Sequence, residues 1–194
     1  MDEEEEKEVL TALQQYRAAR ECEESDIEQI LDVTRNVDTV EIAQDLLHED
    51  NLEATEARTS DVRAELGKLA VPQKIKAAMF GNAIVRGILI YDPNRMIQDF
   101  TLRNPRLTLP EVESFTKNPN ISDNVLRLLS RKKEWMRYYS IKFNLVCNPK
   151  TPSDISMKWL RHMNEGDLKK LSRSKGIPQL IATTAGKLLE SHQH

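Results

Sequence analysis

Three asparagine–proline pairs divide the segment 103–150, which reads RNPRLTLPEVESFTKNPNISDNVLRLLSRKKEWMRYYSIKFNLVCNPK. The pairs are Asn104-Pro105, Asn118-Pro119 and Asn148-Pro149. A residue before proline is pushed out of the right-handed helical region, and asparagine tolerates the left-handed conformation that often closes a helix. Each pair therefore predicts the end of one helix and the approach to the next.

A helix-start signal follows every pair within a few residues. After the first pair, Thr108 and Glu111 have the spacing of a capping box. Ser122 is the predicted cap after the second pair. After the third pair, Thr151 is the predicted cap, with Pro152 as the first helical residue. The segment therefore predicts short helices with brief connections.

The rest of residues 61–194 has apolar residues at helical spacing, and no part of it alternates for long in the manner of a strand. Pro72 and Pro178 predict two further helix starts. A longer helix is predicted over about residues 133–146, with Trp135 and Tyr139 buried together. Short helices with brief connections pack against their sequence neighbours. We therefore predict an all-α fold, in which short antiparallel helices stack as an irregular α-solenoid.

Charge divides the chain into two contrasting parts. Residues 1–61 contain 20 acidic and 5 basic residues, whereas residues 62–194 contain 11 acidic and 23 basic residues, so the net charges are −15 and +12. We predict an acidic N-terminal arm over residues 1–60, disordered or conditionally helical, and a helical-repeat domain over residues 61–194. Glu49–Ser60 is the predicted linker. The apolar stripes 27–31 and 40–47 would help the arm to fold back onto the basic domain.

One stretch resembles a known repeat family. The residues that carry the resemblance are Ile141-Lys142, Leu145-Val146, the turn Asn148-Pro149-Lys150-Thr151-Pro152, and the apolar pair Ile155 and Trp159. They resemble one unit of the bacterial HEAT-like and leucine-rich-repeat-variant proteins. Residues 141–160 match well, the turns at Asn104 and Asn118 match in part, and Ser156 replaces a usual leucine. The resemblance implies right-handed stacking of helical hairpins and a binding or scaffolding role, and it carries over no catalytic residue.

The sequence predicts no catalytic, cofactor or metal site and no enzymatic activity. Its four histidines and two cysteines lack metal-ligand spacing, and its six glycines form no phosphate-binding loop. Cys147 is expected to be a small core residue. No apolar stretch is long enough to cross a bilayer, and the N-terminal residues are acidic, unlike those of a secretion signal. The predicted location is therefore cytoplasmic, with no membrane partner.

Two groups of basic residues form the predicted surface for an acidic ligand. Its members are Arg127, Arg131, Lys132, Lys133, Arg137, Lys169, Lys170 and Arg173. The leading interpretation is a non-enzymatic protein–protein interaction module, an adaptor or regulatory scaffold, whose partner is an acidic protein or its own N-terminal arm. The alternative is a nucleic-acid-binding helical-repeat protein that is gated by its acidic arm. An ordinary solvated surface would show the same residues.

Overall fold

The computed structural model describes residues 41–47 and 56–192, and in this part of the chain all regular structure is helical. The α-helices are α1 (Glu56–Lys68), α2 (Val71–Phe80), α3 (Ala83–Leu89), α4 (Arg95–Arg103), α5 (Leu109–Lys117), α6 (Asp123–Arg131), α7 (Tyr139–Cys147), α8 (Ser153–Leu160), α9 (Glu165–Arg173) and α10 (Gln179–His192). Gln44–Leu46 and Trp135–Arg137 form short 3₁₀ turns. The all-α prediction is confirmed.

The described residues fall into two compact units, the first comprising residues 41–47 and 56–86 and the second residues 87–192. In the first unit, the segment 41–47 is held by Asn82, whose side-chain amide donates to the carbonyl of Asp45 at 3.0 Å. The amide N–H of Asn82 donates to the carbonyl of Leu46, also at 3.0 Å, and the Leu46 side chain is buried. In the described part of the predicted 40–47 stripe, the regular structure is therefore a 3₁₀ turn that is anchored within its own unit.

Helix α1 was missed by the sequence analysis. It begins at Glu56, so the prediction of a linker over Glu49–Ser60 is wrong for its last five residues. Alanine, glutamate and arginine favour helix although they offer little apolar surface, and only Leu66 of α1 is buried. Our predictions for residues 1–40 and 48–55 lie outside the described residues, and the boundary at residue 60 stays a prediction.

The second unit is a stack of helices in which sequence neighbours and next-but-one neighbours pack together. Helix α4 packs on α6 and α5 on α7, while α7 packs on α8, α8 on α10 and α9 on α10. One buried cluster centres on Val112, Leu126 and Leu145, and a second on Leu160 and Ile181. This arrangement matches the predicted stack of short helices.

The three asparagine–proline turns share one geometry. The side-chain oxygen of Asn104 accepts a hydrogen bond from the amide two residues later at 2.9 Å, and Asn118 and Asn148 do the same at 2.9 and 3.0 Å. Their φ angles are −56°, −74° and −75°, with ψ between 120° and 123°. The expected left-handed conformation is therefore not used. Proline excludes the helical region, and the Asx turn fixes the extended alternative.

Side-chain amides also tie successive turns together. The buried Asn148 amide donates to the carbonyls of Thr116 and Asn118 at 2.8 and 3.0 Å. The Asn118 amide in turn donates to the Tyr91 hydroxyl at 2.7 Å. The turns at Asn118 and Asn148 are therefore each linked by a side-chain amide to an earlier part of the stack, which helps to set the spacing between its helices.

Two of the three predicted caps are confirmed. The Ser122 hydroxyl accepts a hydrogen bond from the Val125 amide at 3.3 Å, and the Glu111 carboxylate accepts one from the Thr108 amide at 2.9 Å. The prediction for Thr151 is wrong, because Pro152 occupies the cap position and α8 begins at Ser153.

The reason is the register of the turn. In all three turns the residue three places after asparagine is buried, and the cap is the next residue. Leu107 and Ile121 fill the buried place in the first two turns and Thr151 in the third. Among the described residues, the Thr151 hydroxyl has no hydrogen-bond partner.

The predicted helix over residues 133–146 is also wrong. Tyr138 has extended backbone angles and separates the 3₁₀ turn Trp135–Arg137 from α7, and the longest described helices are α1 and α10. Trp135 is half-buried and Tyr139 is 39% exposed, so they are not buried together. A 3₁₀ turn has three residues per turn, and this change of period places Met136 in the core instead.

Candidate functional site

An open groove of about 430 Å³ lies beside α6, the 3₁₀ turn at residues 135–137, and α8. We call it the basic groove, and define it by its lining residues. They are Arg127, Ser130, Arg131, Lys133, Met136, Asp154, Ile155, Lys158 and Trp159.

The charged side chains that the two helices contribute to the basic groove lie four residues apart, so those on the same helix share one face. Arg127 and Arg131 are four residues apart on α6, so they share one face of that helix. Asp154 and Lys158 have the same spacing on α8, and Lys133 lies two residues beyond the end of α6. The lining therefore carries four cationic side chains and one carboxylate, a net charge of +3.

The groove also has an apolar component that belongs to the protein core. Met136 and Ile155 are only 8% and 7% exposed, although both line the groove. Trp159 is half-buried and packs against both buried clusters of the second unit. Because these side chains are held by core packing, the groove is a fixed feature of the fold.

Trp159 also organises two of the surrounding lysines. The ammonium groups of Lys158 and Lys142 lie 4.9 and 5.3 Å from the centre of its ring, within the range of cation–π attraction. The indole Nε1 is buried and has no hydrogen-bond partner among the described residues. The tryptophan therefore holds positive charge at the groove through its ring face.

Asp154 places a carboxylate of the chain itself inside the basic groove. One of its oxygens lies 3.9 Å from a guanidinium nitrogen of Arg127, and the Asp154 side chain is 70% exposed. An ion pair that is this long and exposed contributes little to stability, typically less than about 1 kcal/mol. The pair shows that a carboxylate fits opposite Arg127, yet it leaves the arginine able to exchange partners.

Three of the predicted ligand-binding residues, Arg127, Arg131 and Lys133, line this groove. Lys132 does not, because its ammonium group donates to the carbonyl of Leu102 at 2.7 Å and so caps the end of α4. Burial lowers the pKa of Lys132. Arg137 is exposed and its Nε donates to the Glu134 carbonyl at 3.4 Å.

The second predicted group stands apart from the groove lining. Lys169, Lys170 and Arg173 are exposed residues of α9, and Arg173 lines a different hollow. The ammonium group of Lys170 lies 2.8 Å from the carboxylate of Asp167. This hydrogen bond, together with one from the Tyr139 hydroxyl at 2.7 Å, holds the pKa of Asp167 below its ordinary value. The two predicted groups therefore do not line a single groove.

Three side chains in or beside the groove were not among the predicted site residues: Asp154, Lys142 and Lys158. The spacing of Asp154 and Lys158 on a helix with Trp159 beside them is a signal that could have singled out α8. Lys142 gave no such signal, because its position over the indole depends on how α7 packs against α8.

Among the described residues, no group of three or more His, Cys, Asp or Glu side chains is arranged to hold a metal ion. Cys147 is half-buried, and burial raises the pKa of its thiol, which disfavours the reactive thiolate. No helix in the described part of the chain is both long and apolar enough to cross a membrane.

Comparisons with known proteins give no assignment, since no family model, curated protein or solved structure matches this chain. The resemblance of residues 141–160 to HEAT-like repeats stays a prediction.

Proposed function

We propose that this chain is a non-enzymatic protein–protein interaction module, an adaptor or regulatory scaffold, that binds an acidic surface of another protein through the basic groove. The observation that carries the proposal is the groove itself, whose lining combines four cationic side chains with Met136, Ile155 and Trp159. Charge at a rim steers a partner and sets its orientation, while a central apolar area contributes most of the affinity.

The groove is built on helices whose inner faces are core, which suits a binding surface. Ile155 is both a buried residue of α8 and part of the groove lining, so little ordering is needed before a partner binds. A preorganised surface keeps more of its contact energy as affinity.

Nucleic acid is the second candidate, because cationic side chains also attract phosphates. One feature of the groove favours protein. Single-stranded nucleic acids are commonly bound by stacking bases on aromatic faces, whereas Trp159 is packed into the core and has Lys142 and Lys158 over its ring.

The test compares captured partners for the immobilised full chain and two charge-reversal variants. The groove variant is Arg131→Glu with Lys133→Glu. The control is Lys169→Glu with Arg173→Glu, which makes the same change in charge at exposed positions outside the groove lining. Circular dichroism melting verifies that both variants fold as the parent does.

We expect partners whose capture survives nuclease treatment. The parent and the control variant should capture them equally, and the groove variant should not capture them. Equal capture by both variants would refute the groove as the binding surface. A bound fraction that nuclease removes, together with binding of duplex DNA that falls steeply with salt and is lost in the groove variant, would establish the nucleic-acid alternative.

A further inference from the structure

We infer that the basic groove binds an extended acidic peptide in which one bulky apolar side chain is flanked by carboxylates. This inference rests on the proposed function and specifies the partner's chemistry. It follows from how the charged and apolar residues of the groove are placed relative to each other.

The apolar side chain is required by the groove lining. Met136 and Ile155 expose only small fractions of their surface, and they share the groove lining with four cationic side chains and one carboxylate. A ligand that offers charge alone would leave this apolar area in water. A leucine-sized or larger side chain would cover it and gain roughly 25 cal/mol for each Å² of apolar surface removed from water. The groove volume of about 430 Å³ is sufficient for such a side chain with adjoining backbone.

Carboxylates are required on both sides of that apolar residue. Arg127 and Arg131 project from α6, while Lys158 projects from α8, so cations flank the apolar lining from two helices. The arginine fork can bind a carboxylate through two parallel hydrogen bonds, and a lysine provides a point charge. One acidic residue before the apolar anchor and one after it would engage both helices.

Asp154 already occupies the position of one such carboxylate. Its oxygen lies 3.9 Å from the Arg127 guanidinium, and both side chains are partly exposed, so a ligand carboxylate can displace it. An acidic peptide must therefore compete with Asp154 for Arg127. Removal of the Asp154 charge should therefore strengthen the binding of an acidic peptide. A basic ligand would instead use Asp154 as a contact, and its binding should weaken.

The probe is a short fluorescent peptide with glutamates on both sides of a single leucine, and its matched control has serine in place of the leucine. Binding to the full chain is measured by fluorescence anisotropy. We expect the leucine peptide to bind about tenfold more tightly than the serine peptide, the ratio expected for burial of a leucine side chain that gains about 1.4 kcal/mol or more.

Protein variants test the charged part. Asp154→Asn should strengthen binding of the leucine peptide about threefold, an effect of the size measured for a partly exposed ion pair. Glu165→Gln is the matched control, since Glu165 is also an exposed acid in the first turn of a helix but lies outside the groove lining. Arg131→Glu with Lys133→Glu should weaken binding about tenfold or more.

Equal affinity for the leucine and serine peptides would overturn the inference, and this comparison needs no protein variant. So would an Asp154→Asn protein that binds no better than Glu165→Gln, or duplex DNA that displaces the peptide at lower concentration than unlabelled peptide does. If these tests fail while nuclease-resistant partners still depend on the groove, the proposed function stands and only the peptide chemistry is wrong.

Discussion

Replacing Thr151 by valine should stabilise the protein. Thr151 is only 5% exposed, and within the described residues its hydroxyl has no hydrogen-bond partner. A buried hydroxyl without a partner costs roughly 1–3 kcal/mol in lost hydration. Valine has nearly the same shape, keeps the backbone N–H that donates to the Asn148 carbonyl at 3.1 Å, and removes the polar atom. We expect a gain of about 1 kcal/mol, the lower end of that range, because valine does not fill the site identically.

Thr116→Val is the matched control, since Thr116 is also a buried threonine of the second unit. Its hydroxyl donates to the Val112 carbonyl at 2.9 Å and accepts from the Asn144 side-chain amide at 3.2 Å. The same substitution removes both bonds and leaves a buried amide N–H without this partner. We expect a loss of about 1–3 kcal/mol.

Both variants would be unfolded in urea and followed by circular dichroism at constant pH, with free energies extrapolated at a common slope. The same change from threonine to valine is expected to raise the free energy of unfolding at position 151 and to lower it at position 116, so the two variants control for each other. If Thr151→Val destabilises the protein by about 1 kcal/mol or more, as loss of a helix cap would, then Thr151 has a polar partner in solution and our account of this turn is wrong.

Four further outcomes are expected. Ser122→Ala should cost about 1 kcal/mol in urea unfolding, because the Val125 amide loses its cap. Trp135→Ala should cost about 3 kcal/mol, since the half-buried ring packs on one core cluster, and an unchanged melting temperature would contradict that packing. Tyr139→Phe should raise the pKa of Asp167 in an NMR titration, because a hydrogen bond to the carboxylate is lost. In the parent, the stability contributed by the Asp167 carboxylate is present above its ordinary pKa and is lost as pH falls through its lowered pKa in the folded protein. The free energy of unfolding of the variant should therefore fall less on acidification than that of the parent. Deleting residues 1–40 should raise the affinity of the groove for an acidic peptide, because the predicted acidic arm would no longer compete for it. The difference in affinity between the full and the shortened chain should narrow as salt is added, since salt screens the charges.

Local features of this fold could be predicted from the sequence because their causes are local. Proline restricts the preceding residue wherever it stands, so helices end at Asn104, Asn118 and Asn148 as expected. The Ser122 cap likewise depends on a hydroxyl and an amide three residues apart. These features need no knowledge of what packs against the turn.

The errors arose where tertiary packing decides between two local options. Both Thr151 and Pro152 are acceptable helix-start residues, and burial of the residue three places after asparagine selects Pro152 as the cap position. The interruption of the helix at Tyr138 has the same origin. The aromatic and basic residues around it contain no turn signal, and burial of Met136 in the core fixes the 3₁₀ turn.

The candidate site was predictable only in part for the same reason. Arg127, Arg131 and Lys133 are close in sequence, so their clustering was visible, whereas Asp154 and Lys158 join them only through the fold. Lys132 shows the opposite case. It lies within the same basic run, but its ammonium group is used to cap α4. Proximity in a sequence identifies a charged neighbourhood, and packing decides which of its members face a ligand.

The acidic groups of the chain itself explain why an apolar anchor would set the specificity of the groove. Asp154 already presents a carboxylate to Arg127, and residues 1–40 carry 13 acidic and 4 basic residues, a net charge of −9 on the same chain. A partner that offered only negative charge would exchange one set of carboxylates for another and gain little. A partner that also covers the apolar surface at Met136 and Ile155 gains a contribution that Asp154 cannot supply. Discrimination between partners should therefore depend on the apolar residue, while charge governs the rate of encounter and its dependence on salt.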